Sequence, residues 1–380
     1  MERMSAVGRT ECAETPEDRT AMSRFSLAKL TSFVESVFLG LGLNPKDAAT
    51  ATESLVVADL YGIESHGVAR LPFHARRIAR GLVNLSAELS VVRETPSTLV
   101  LDADNGFGQS LAPRAMARCI EKAEQTGICL TTVRRSNHLG IAGYYVVMAT
   151  KRGLGGMAMT NSSPLVVPTF GRDPRLGTNP IALGVPTGDG PPLVLDMATS
   201  TVAYGKLEVA RRANVSIPSG WAVDDRGLPT TDPHAAQFLT PLGGDRATSG
   251  HKGYGLGVFV DVFCGPLASG AWSRLVSGAR GPDKPSGIGH AFMAWRIDAF
   301  REPEEFYADL KEMIADLRAT PPAPGHEATG ILVPGDPEHA AEVRHRQQGV
   351  PVRREVLDEL RTLCAELDLP FTLTSAEGVS

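Results

Sequence analysis

Short apolar runs that alternate with helix-like segments constrain this chain most. From Ser97 onward, strand-like runs at 98–101, 128–133 and 156–160 are separated by segments that carry apolar residues at helical spacing. Pro113 and Asn137 are predicted to open two of these helices. The alternation predicts an α/β body over residues 96–333, with a long Gly- and Pro-rich loop at 274–290.

The stretch 160–206 is the part of this body best suited to hold a ligand. Two apolar runs, at 181–185 and 193–195, end at small polar residues, and prolines fix the loops between them. Asp196 ends the second run, and Thr199 and Ser200 are predicted to open a helix behind it. This pattern brings backbone N–H groups and a carboxylate to a sheet edge, where a polar ligand can dock. A turn-rich β region with one exposed aspartate is the alternative.

Both ends of the chain have a helical pattern. Residues 26–82 carry apolar residues at helical spacing, and Pro303 and Pro337 each open a helical segment near the other end. We therefore predict four parts: a disordered tail at 1–24, an N-terminal helical domain at 25–95, the α/β body at 96–333, and a C-terminal helical segment at 334–380 that packs on the N-terminal domain. Met22 is an alternative start of the chain.

Composition excludes several classes of protein. The chain has 380 residues, of which 42% are hydrophobic and 21% charged, as in an ordinary globular protein of two or three domains. Its formal net charge of -5, without a basic stripe, argues against a nucleic-acid partner. The five cysteines are scattered with no C-x-x-C, and no secretory signal or membrane-length apolar run occurs. These features predict a cytoplasmic protein with no membrane partner.

The segment 64–70 reads Glu-Ser-His-Gly-Val-Ala-Arg, at the start of a predicted helix that ends at Gly81. In a helix, His66 and Arg70 share a face, because they are four residues apart. Histidine exchanges protons near neutral pH, and arginine can grip a carboxylate with two parallel hydrogen bonds. A solvated polar face with an incidental histidine is the alternative.

A second histidine follows an apolar strand in the segment Ser136–Gly140. Asn137 is a good helix N-cap, which would put His138 in the first helical turn. The helix dipole there would keep the imidazole neutral. A cap without chemistry is the alternative.

Two further segments have side chains that can contact a phosphate or a ribose. Lys252 lies on a glycine-flanked turn within 249–255 and can reach a phosphate, although the glycines can equally be packing positions in a buried helix. Asp336, in the turn formed with Pro334 and Gly335, can bond a ribose hydroxyl or serve only as the N-cap ahead of Pro337. No G-x-G-x-x-G, P-loop, H-E-x-x-H or G-x-S-x-G motif occurs, so a Rossmann fingerprint, a zincin site and a hydrolase elbow are unsupported.

Taken together, these segments resemble the malate/L-lactate dehydrogenase family, whose members lack a Rossmann fold. That family also includes ureidoglycolate, sulfolactate and diketogulonate oxidoreductases and Δ1-piperideine-2-carboxylate reductases. The matching motifs appear in order: ESHGVAR at 64–70, SNHLG at 136–140, GTNPIA at 177–182, LDMATS at 195–200, SGHKGYGL at 249–256, GIGH at 287–290 and PGD at 334–336.

The resemblance implies an NAD- or NADP-dependent oxidoreductase that is a homodimer and binds its dinucleotide on a mixed β-sheet. Hydride would move between nicotinamide and C2 of a small 2-hydroxy or 2-keto acid, or of a cyclic imine. His138 and His66 would be the proton-transfer candidates, and Arg70 would anchor the substrate carboxylate. The dinucleotide would be held by Ser162, Asp196, Met197, Ala198, His251, Lys252, Pro334, Gly335 and Asp336.

The sequence leaves some points open and offers rivals of other classes. It does not identify the acid, nor does it separate NAD from NADP. We favour His138 over His66 for proton transfer, because a helix N-terminus would tune its pKa. A metal-dependent hydrolase or lyase built on His66, His138, His251 and Asp196 is a distant alternative, since no pair has a recognised ligand spacing. A non-catalytic binding module ranks lower still, and no metal is expected.

Overall fold

A seven-stranded sheet forms the centre of the structure, a computed structural model that describes residues 22–278 and 284–373. In chain order the strands are β1 (Met22–Phe25), β2 (Ser90–Glu94), β3 (Thr98–Asp102), β4 (Ile128–Ser136), β5 (Leu154–Thr160), β6 (Ile181–Val185), β7 (Leu193–Met197), β8 (Ala222–Val223), β9 (Pro229–Thr230), β10 (Phe238–Leu239), β11 (Ile288–Arg296) and β12 (Val350–Arg353). The helices are α1 (Leu27–Gly40), α2 (Pro45–Leu60), α3 (Leu71–Ala79), α4 (Gly108–Thr126), α5 (Gly143–Thr150), α6 (Tyr204–Ala213), α7 (Gly250–Cys264), α8 (Pro303–Arg318), α9 (Asp336–Gln348) and α10 (Arg354–Glu366).

The sheet is mixed, as the resemblance implied. Its strand order is β2-β3-β4-β11-β5-β6-β7, and within it β3 and β4 pair in parallel while the other neighbours are antiparallel. A Rossmann domain would instead show a parallel doubly wound sheet. The predicted fold class, an α/β protein with a non-Rossmann mixed sheet and helical chain ends, is confirmed.

The central strand β11 is the main element that the sequence did not predict. The predicted loop 274–290 extends into β11, which begins at Ile288, and residues 279–283 of that loop lie outside the described part of the chain. Gly289 is needed in this strand, because a Cβ there would lie 1.8 Å from the carbonyl oxygen of Cys264. A glycine required by close packing therefore looked like a loop residue in the sequence.

Several predicted helix starts are wrong. Pro113 lies inside α4 rather than at its start, because the helix already begins at Gly108, packed against the carbonyls of Asn137 and His138. Thr199 and Ser200 do not open a helix: α6 begins at Tyr204. The Thr199 hydroxyl instead bonds the carbonyl oxygens of Thr178 and Asn179 at 3.1 and 3.0 Å.

The two ends of the chain share one hydrophobic core. β1 pairs antiparallel with β12, with Met22 opposite Arg353 and Phe25 opposite Val350. The apolar faces of α1, α2 and α3 pack with α10 in a single buried cluster. Most of the predicted tail 1–24 lies outside the described residues, but its last three residues belong to β1. No helix in the described ranges is long and apolar enough to cross a bilayer.

Candidate active site

The side chains of His66, His138 and Arg70 come together although two distant segments supply them. The imidazole rings of His66 and His138 are stacked, with centroids 5.6 Å apart and planes inclined by 28°. The Arg70 Nε donates to the carbonyl oxygen of Ser65 at 2.9 Å, which orients the guanidinium. Within the described ranges no hydrogen bond engages its two terminal nitrogens, which can therefore bind a carboxylate. Burial lowers the pKa of both histidines, and the positive charge on Arg70 lowers it further.

The segment that carries His66 and Arg70 is not the regular helix that the sequence predicted. It forms two 3₁₀ turns, Glu64–His66 and Val68–Arg70, before α3 begins. The break occurs at Gly67, which packs so closely on α2 that a Cβ would lie 2.0 Å from Oδ1 of Asp59. The Asp59 carboxyl also accepts the Val68 N–H at 2.8 Å. A buried carboxyl group on α2 therefore fixes the path of the chain between His66 and Arg70.

His138 lies in a loop, so Asn137 is not a helix cap. The next helix, α5, begins at Gly143. Asn137 instead donates from its side-chain amide to the carbonyl oxygens of Asn105 and Gly106, at 3.0 and 2.9 Å. The predicted influence of a helix dipole on His138 is therefore absent.

The protonation state of His138 follows from its backbone contact. The Gly140 N–H donates to Nδ1 of His138 at 3.1 Å, so Nδ1 is unprotonated and the neutral ring carries its proton on Nε2. Burial lowers the pKa of His138 well below its usual range, and the neighbouring His66, His74 and Arg70 lower it further. The residue as a whole is half-buried, and the neutral N–H on Nε2 is the donor that it can present to a ligand.

His66 has a different environment. Its Nδ1 contacts the Ser65 hydroxyl at 2.9 Å, and a hydroxyl can either donate or accept a hydrogen bond. Both protonation states of His66 are therefore compatible with this contact. Burial, followed by the charge of Arg70, lowers its pKa to about 4.

Sequence reasoning missed a third histidine at this site. The ring centroid of His74, on α3, lies 5.8 Å from that of His138 and 5.3 Å from that of Phe107. His74 follows Arg70 by four residues, so the helical spacing that pairs His66 with Arg70 could have revealed it. Asp59 was also missed, because its contact with Gly67 depends on how α2 packs.

Three of the predicted dinucleotide residues, Asp196, Met197 and Ala198, lie on or directly after the edge strand β7. Asp196 accepts the Gly143 N–H at 2.7 Å, which joins β7 to the segment that follows His138. Burial raises the pKa of Asp196 to about 6. Met197 ends β7, and Ala198 follows it; both are half-buried.

The turn 334–336 docks on the same strand. The carbonyl oxygen of Pro334 accepts the Val194 N–H at 3.2 Å, and Gly335 is the residue before α9. Asp336 is therefore the first residue of the helix and not its cap. Its carboxylate accepts the Val333 N–H at 3.0 Å and pairs with Arg318 at 2.6 Å. Both oxygens of the Asp336 carboxylate therefore already have a partner, which leaves less of the carboxylate free to bind a ribose hydroxyl as the sequence predicted.

Ser162 lies in the loop after β5 and connects to the motif 177–182. Its Oγ accepts the Thr178 N–H at 3.1 Å, so its O–H proton remains available to donate. Its own N–H donates to Oδ1 of Asn179 at 3.1 Å.

His251 and Lys252 lie in the first turn of α7, not on a loop. The packing explanation holds for Gly253 and Gly257: a Cβ at Gly253 would lie 2.3 Å from the carbonyl oxygen of Leu242, and one at Gly257 would lie 3.0 Å from Oγ1 of Thr199. Lys252 is exposed, and Nδ1 of His251 is buried without a hydrogen-bond partner in the described ranges. An unsatisfied buried nitrogen is consistent with a ligand that reaches this turn.

Two other observations bear on the choice of site. Across residues 22–278 and 284–373, no three His, Cys, Asp or Glu side chains converge as a metal site requires, which leaves the metal-dependent alternative without a ligand set there. A cavity of about 700 Å³ lies between α1, α2, α5 and α9 and the loop 186–192, and no predicted site residue lines it. The site is therefore defined by its converging polar groups rather than by volume.

Comparisons with known proteins identify the family of this chain. A sequence profile of the family described as malate/L-lactate dehydrogenase matches residues 25–361. A malate dehydrogenase from Pyrococcus abyssi is 44% identical over 339 residues, which cover 88% of this chain and 92% of that protein. Among solved structures, a malate dehydrogenase from Pyrococcus horikoshii OT3 superposes with a TM-score of 0.84 at 39% identity, covering 92% of this chain and 97% of the other.

A third relative is named for a different substrate. The structure of delta1-piperideine-2-carboxylate reductase from Pseudomonas syringae pvar. tomato superposes with a TM-score of 0.78 at 29% identity, covering 90% of this chain and 99% of the other. The chain therefore belongs to the malate/L-lactate dehydrogenase family. It is an oxidoreductase.

Proposed function

We propose that this enzyme transfers a hydride between a nicotinamide dinucleotide and C2 of a small 2-hydroxy or 2-keto acid. The observation that carries this proposal is the meeting of His66, His138 and Arg70 in one partly buried site. Such a site combines a carboxylate grip, a neutral N–H donor and a group that can exchange a proton. These are the functions that reduction of a 2-keto acid requires of its protein.

Each side chain has a distinct task in this proposal. The terminal nitrogens of Arg70 bind the substrate carboxylate and so orient C2. The Nε2–H of His138 donates to the oxygen on C2, where negative charge develops during reduction. His66 takes the hydroxyl proton during oxidation and returns it during reduction.

The tautomer of His138 is the reason to assign proton transfer to His66. If the neutral His138 gave up its Nε2 proton it would become an imidazolate, because Nδ1 is already unprotonated and faces the Gly140 N–H. Protonating Nδ1 would set two N–H groups against each other. The Ser65 hydroxyl beside His66 imposes no such restriction.

The groups along β7 and α7 suit a dinucleotide. Ser162 retains a hydroxyl proton, Asp196 offers a carboxylate to a ribose hydroxyl, and His251 has an unsatisfied buried nitrogen. Exposed Lys252 supplies a positive charge for a phosphate, and Met197, Ala198 and the turn 334–336 complete the predicted surface. The bound dinucleotide supplies the C4 atom that gives or accepts the hydride.

Cofactor titration followed by a substrate panel tests the proposed function. We expect NADH or NADPH fluorescence to change on binding, and at least one small 2-hydroxy acid to be oxidised with the matching dinucleotide. Malate is the first candidate substrate, because the 44% identical relative is named a malate dehydrogenase. If neither dinucleotide binds, or no acid of the panel is oxidised or formed, the proposed function is wrong.

A matched pair of substitutions separates the two histidines. His66→Gln should lower kcat by about 10²-fold or more with cofactor affinity nearly unchanged, because the proton acceptor is lost. His138→Gln keeps a side-chain N–H donor, so it should retain much more activity than His138→Leu. If His138→Gln and His138→Leu lose activity equally and His66→Gln keeps near-normal turnover, His138 and not His66 is the residue that transfers the proton.

Cyclic imine reduction is the second candidate function, supported by the likeness to the piperideine carboxylate reductase structure. Reduction of a 2-carboxylated cyclic imine uses the same carboxylate grip and places hydride on the equivalent carbon. Adding Δ1-piperideine-2-carboxylate to the panel decides between the two. A kcat/KM for the imine well above that for every keto acid would favour this alternative.

We also propose a homodimer in the cytoplasm. The family resemblance supports the dimer, and apolar side chains of Leu256, Phe259 and Val262 on the outer face of α7 are 43%, 65% and 40% exposed. Surfaces of this kind commonly mark contacts between chains. Sedimentation at micromolar concentration should give twice the mass of one chain.

A further inference from the structure

His74 has a buried nitrogen that nothing in the described ranges satisfies. The side chain is 3% exposed, and its Nε2 has no hydrogen-bond partner there. Its ring packs against the edges of Phe73 and Phe107 and lies beside His138. A buried polar atom without a partner costs stability, so such atoms are rare outside sites that complete themselves with a ligand.

The ring of His74 is held neutral by its surroundings. Burial lowers its pKa to about 3, and the positive charges of Arg70 and Arg77 act in the same direction. A neutral imidazole can present Nε2 to a ligand either as donor or as acceptor. A methyl group placed against this nitrogen would leave it unsatisfied.

We propose that His74 is a substrate-binding residue whose Nε2 hydrogen-bonds a carboxylate attached to C3 of the substrate. This inference rests on the proposed function and extends it from C2 to the far end of the acid. It makes His74 the residue that selects dicarboxylic acids over monocarboxylic acids of otherwise equal structure.

The spacing of the rings supports the assignment to C3. The centroids of His138 and His74 are 5.8 Å apart. If Nε2 of His138 binds the oxygen on C2, a hydrogen bond of about 2.9 Å to His74 brings a group two carbons farther along within reach. The methyl group of a three-carbon acid is too short and cannot form this bond.

Discrimination follows from the cost of an unpaired group. A site that is built to hydrogen-bond one part of its substrate rejects an analogue lacking that part, because its own polar group is then left buried and unpaired. Lactate would leave Nε2 of His74 in this state, whereas malate would satisfy it. Replacing His74 by an apolar ring removes both effects: lactate no longer leaves a buried nitrogen unpaired, and malate no longer gains a hydrogen bond.

The test compares malate and lactate of the same configuration in three variants. His74→Phe keeps an aromatic ring among Phe73 and Phe107 but has no nitrogen, and His74→Gln keeps a polar N–H. His345→Phe is the matched control, because His345 is also buried but its Nδ1 contacts the carbonyl oxygens of Asp59 and Leu60 at 3.0 Å each. The measurements are kcat/KM for both acids, and the melting temperature with no ligand, with malate and with lactate.

We expect the malate-to-lactate ratio of kcat/KM to fall at least about 10-fold in His74→Phe and to stay within a few-fold of the wild type in His74→Gln. The unliganded melting temperature of His74→Phe should be unchanged or higher, since an unsatisfied buried nitrogen is removed. His345→Phe should melt at a lower temperature and leave the ratio unchanged.

Two results would overturn the inference. One is an unchanged malate-to-lactate ratio in His74→Phe; a fall in its melting temperature would then make His74 a structural residue. The other is a wild type that malate stabilises no more than lactate. If the wild type oxidises neither acid but malate raises its melting temperature and fails to do so in His74→Phe, the proposed function is wrong while the binding role of His74 stands.

Discussion

Among single side chains, His66 carries the most direct consequence for pH dependence. Its pKa is lowered to about 4, first by burial and then by Arg70. In the proposed function the neutral imidazole of His66 is the base for oxidation of the hydroxy acid, so we expect activity to be lost as the pH falls through this value and not near 6.5. Because a neutral base persists at mildly acidic pH, the enzyme should keep its kcat/KM for oxidation down to about pH 5.

We predict that Arg70→Gln moves this acidic limb to higher pH, because the positive charge that disfavours imidazolium is removed. Arg70→Lys is the matched control: the limb should stay near its wild-type position, while turnover still falls because an ammonium cannot form the two-pronged contact with a carboxylate. The pH dependence of kcat/KM at saturating dinucleotide measures both. A limb that stays in place in Arg70→Gln would show that another group titrates.

Single residues also show which parts of the site could be predicted from the sequence. The types and spacing of His66 and Arg70 were sufficient to nominate them, and the structure places His138 beside them. The state of His138 could not be foreseen, because it depends on the Gly140 N–H within an irregular loop. The role of Asp59 could not be foreseen either, because its carboxyl group contacts the backbone at Val68 only once α2 has packed against the segment 64–70.

Among the elements, the 3₁₀ segment between α2 and α3 depends on one close approach. Gly67 lies against the carboxyl group of Asp59, and no larger residue fits without displacing one of the two segments. The same contact sets where His66 and Arg70 point. The apolar run that the sequence shows at 181–185 coincides with β6, whereas β11 was missed because close packing selected glycine and histidine.

We predict that Gly67→Ala lowers both kcat/KM, by about 10-fold or more, and the melting temperature, by several degrees. The added Cβ would overlap Asp59 and shift the segment that carries the site. Gly205→Ala is the control, because no atom lies within 4 Å of a Cβ added there and α6 is regular at this position. Wild-type kinetics in Gly67→Ala would mean that the placement of His66 tolerates movement of this segment.

Considering the complete fold, the two chain ends are tied together by β1, β12 and the core around Phe25. Helical periodicity predicted that the ends pack together, but not that a strand pair joins them, because four-residue strands leave little pattern in a sequence. The same limitation explains why the predicted tail was drawn three residues too long.

We predict that removing residues 2–21 leaves activity and melting temperature unchanged, whereas removing residues 2–25 lowers the melting temperature by several degrees. The longer deletion loses the ladder with β12 and the side chain of Phe25, which is 2% exposed. Thermal unfolding of both truncated chains measures the difference. Equal melting temperatures for the two would contradict the structural role of β1.

The fate of the hydrogen on C2 tests the account as a whole. A hydroxy acid that the enzyme oxidises is labelled with deuterium at C2 and incubated with the oxidised dinucleotide, and the mass of the reduced dinucleotide is measured. Direct hydride transfer predicts a product one mass unit heavier than that formed from the unlabelled acid, with no deuterium released to water. An unlabelled reduced dinucleotide, with the deuterium recovered in solvent, would contradict hydride transfer from C2.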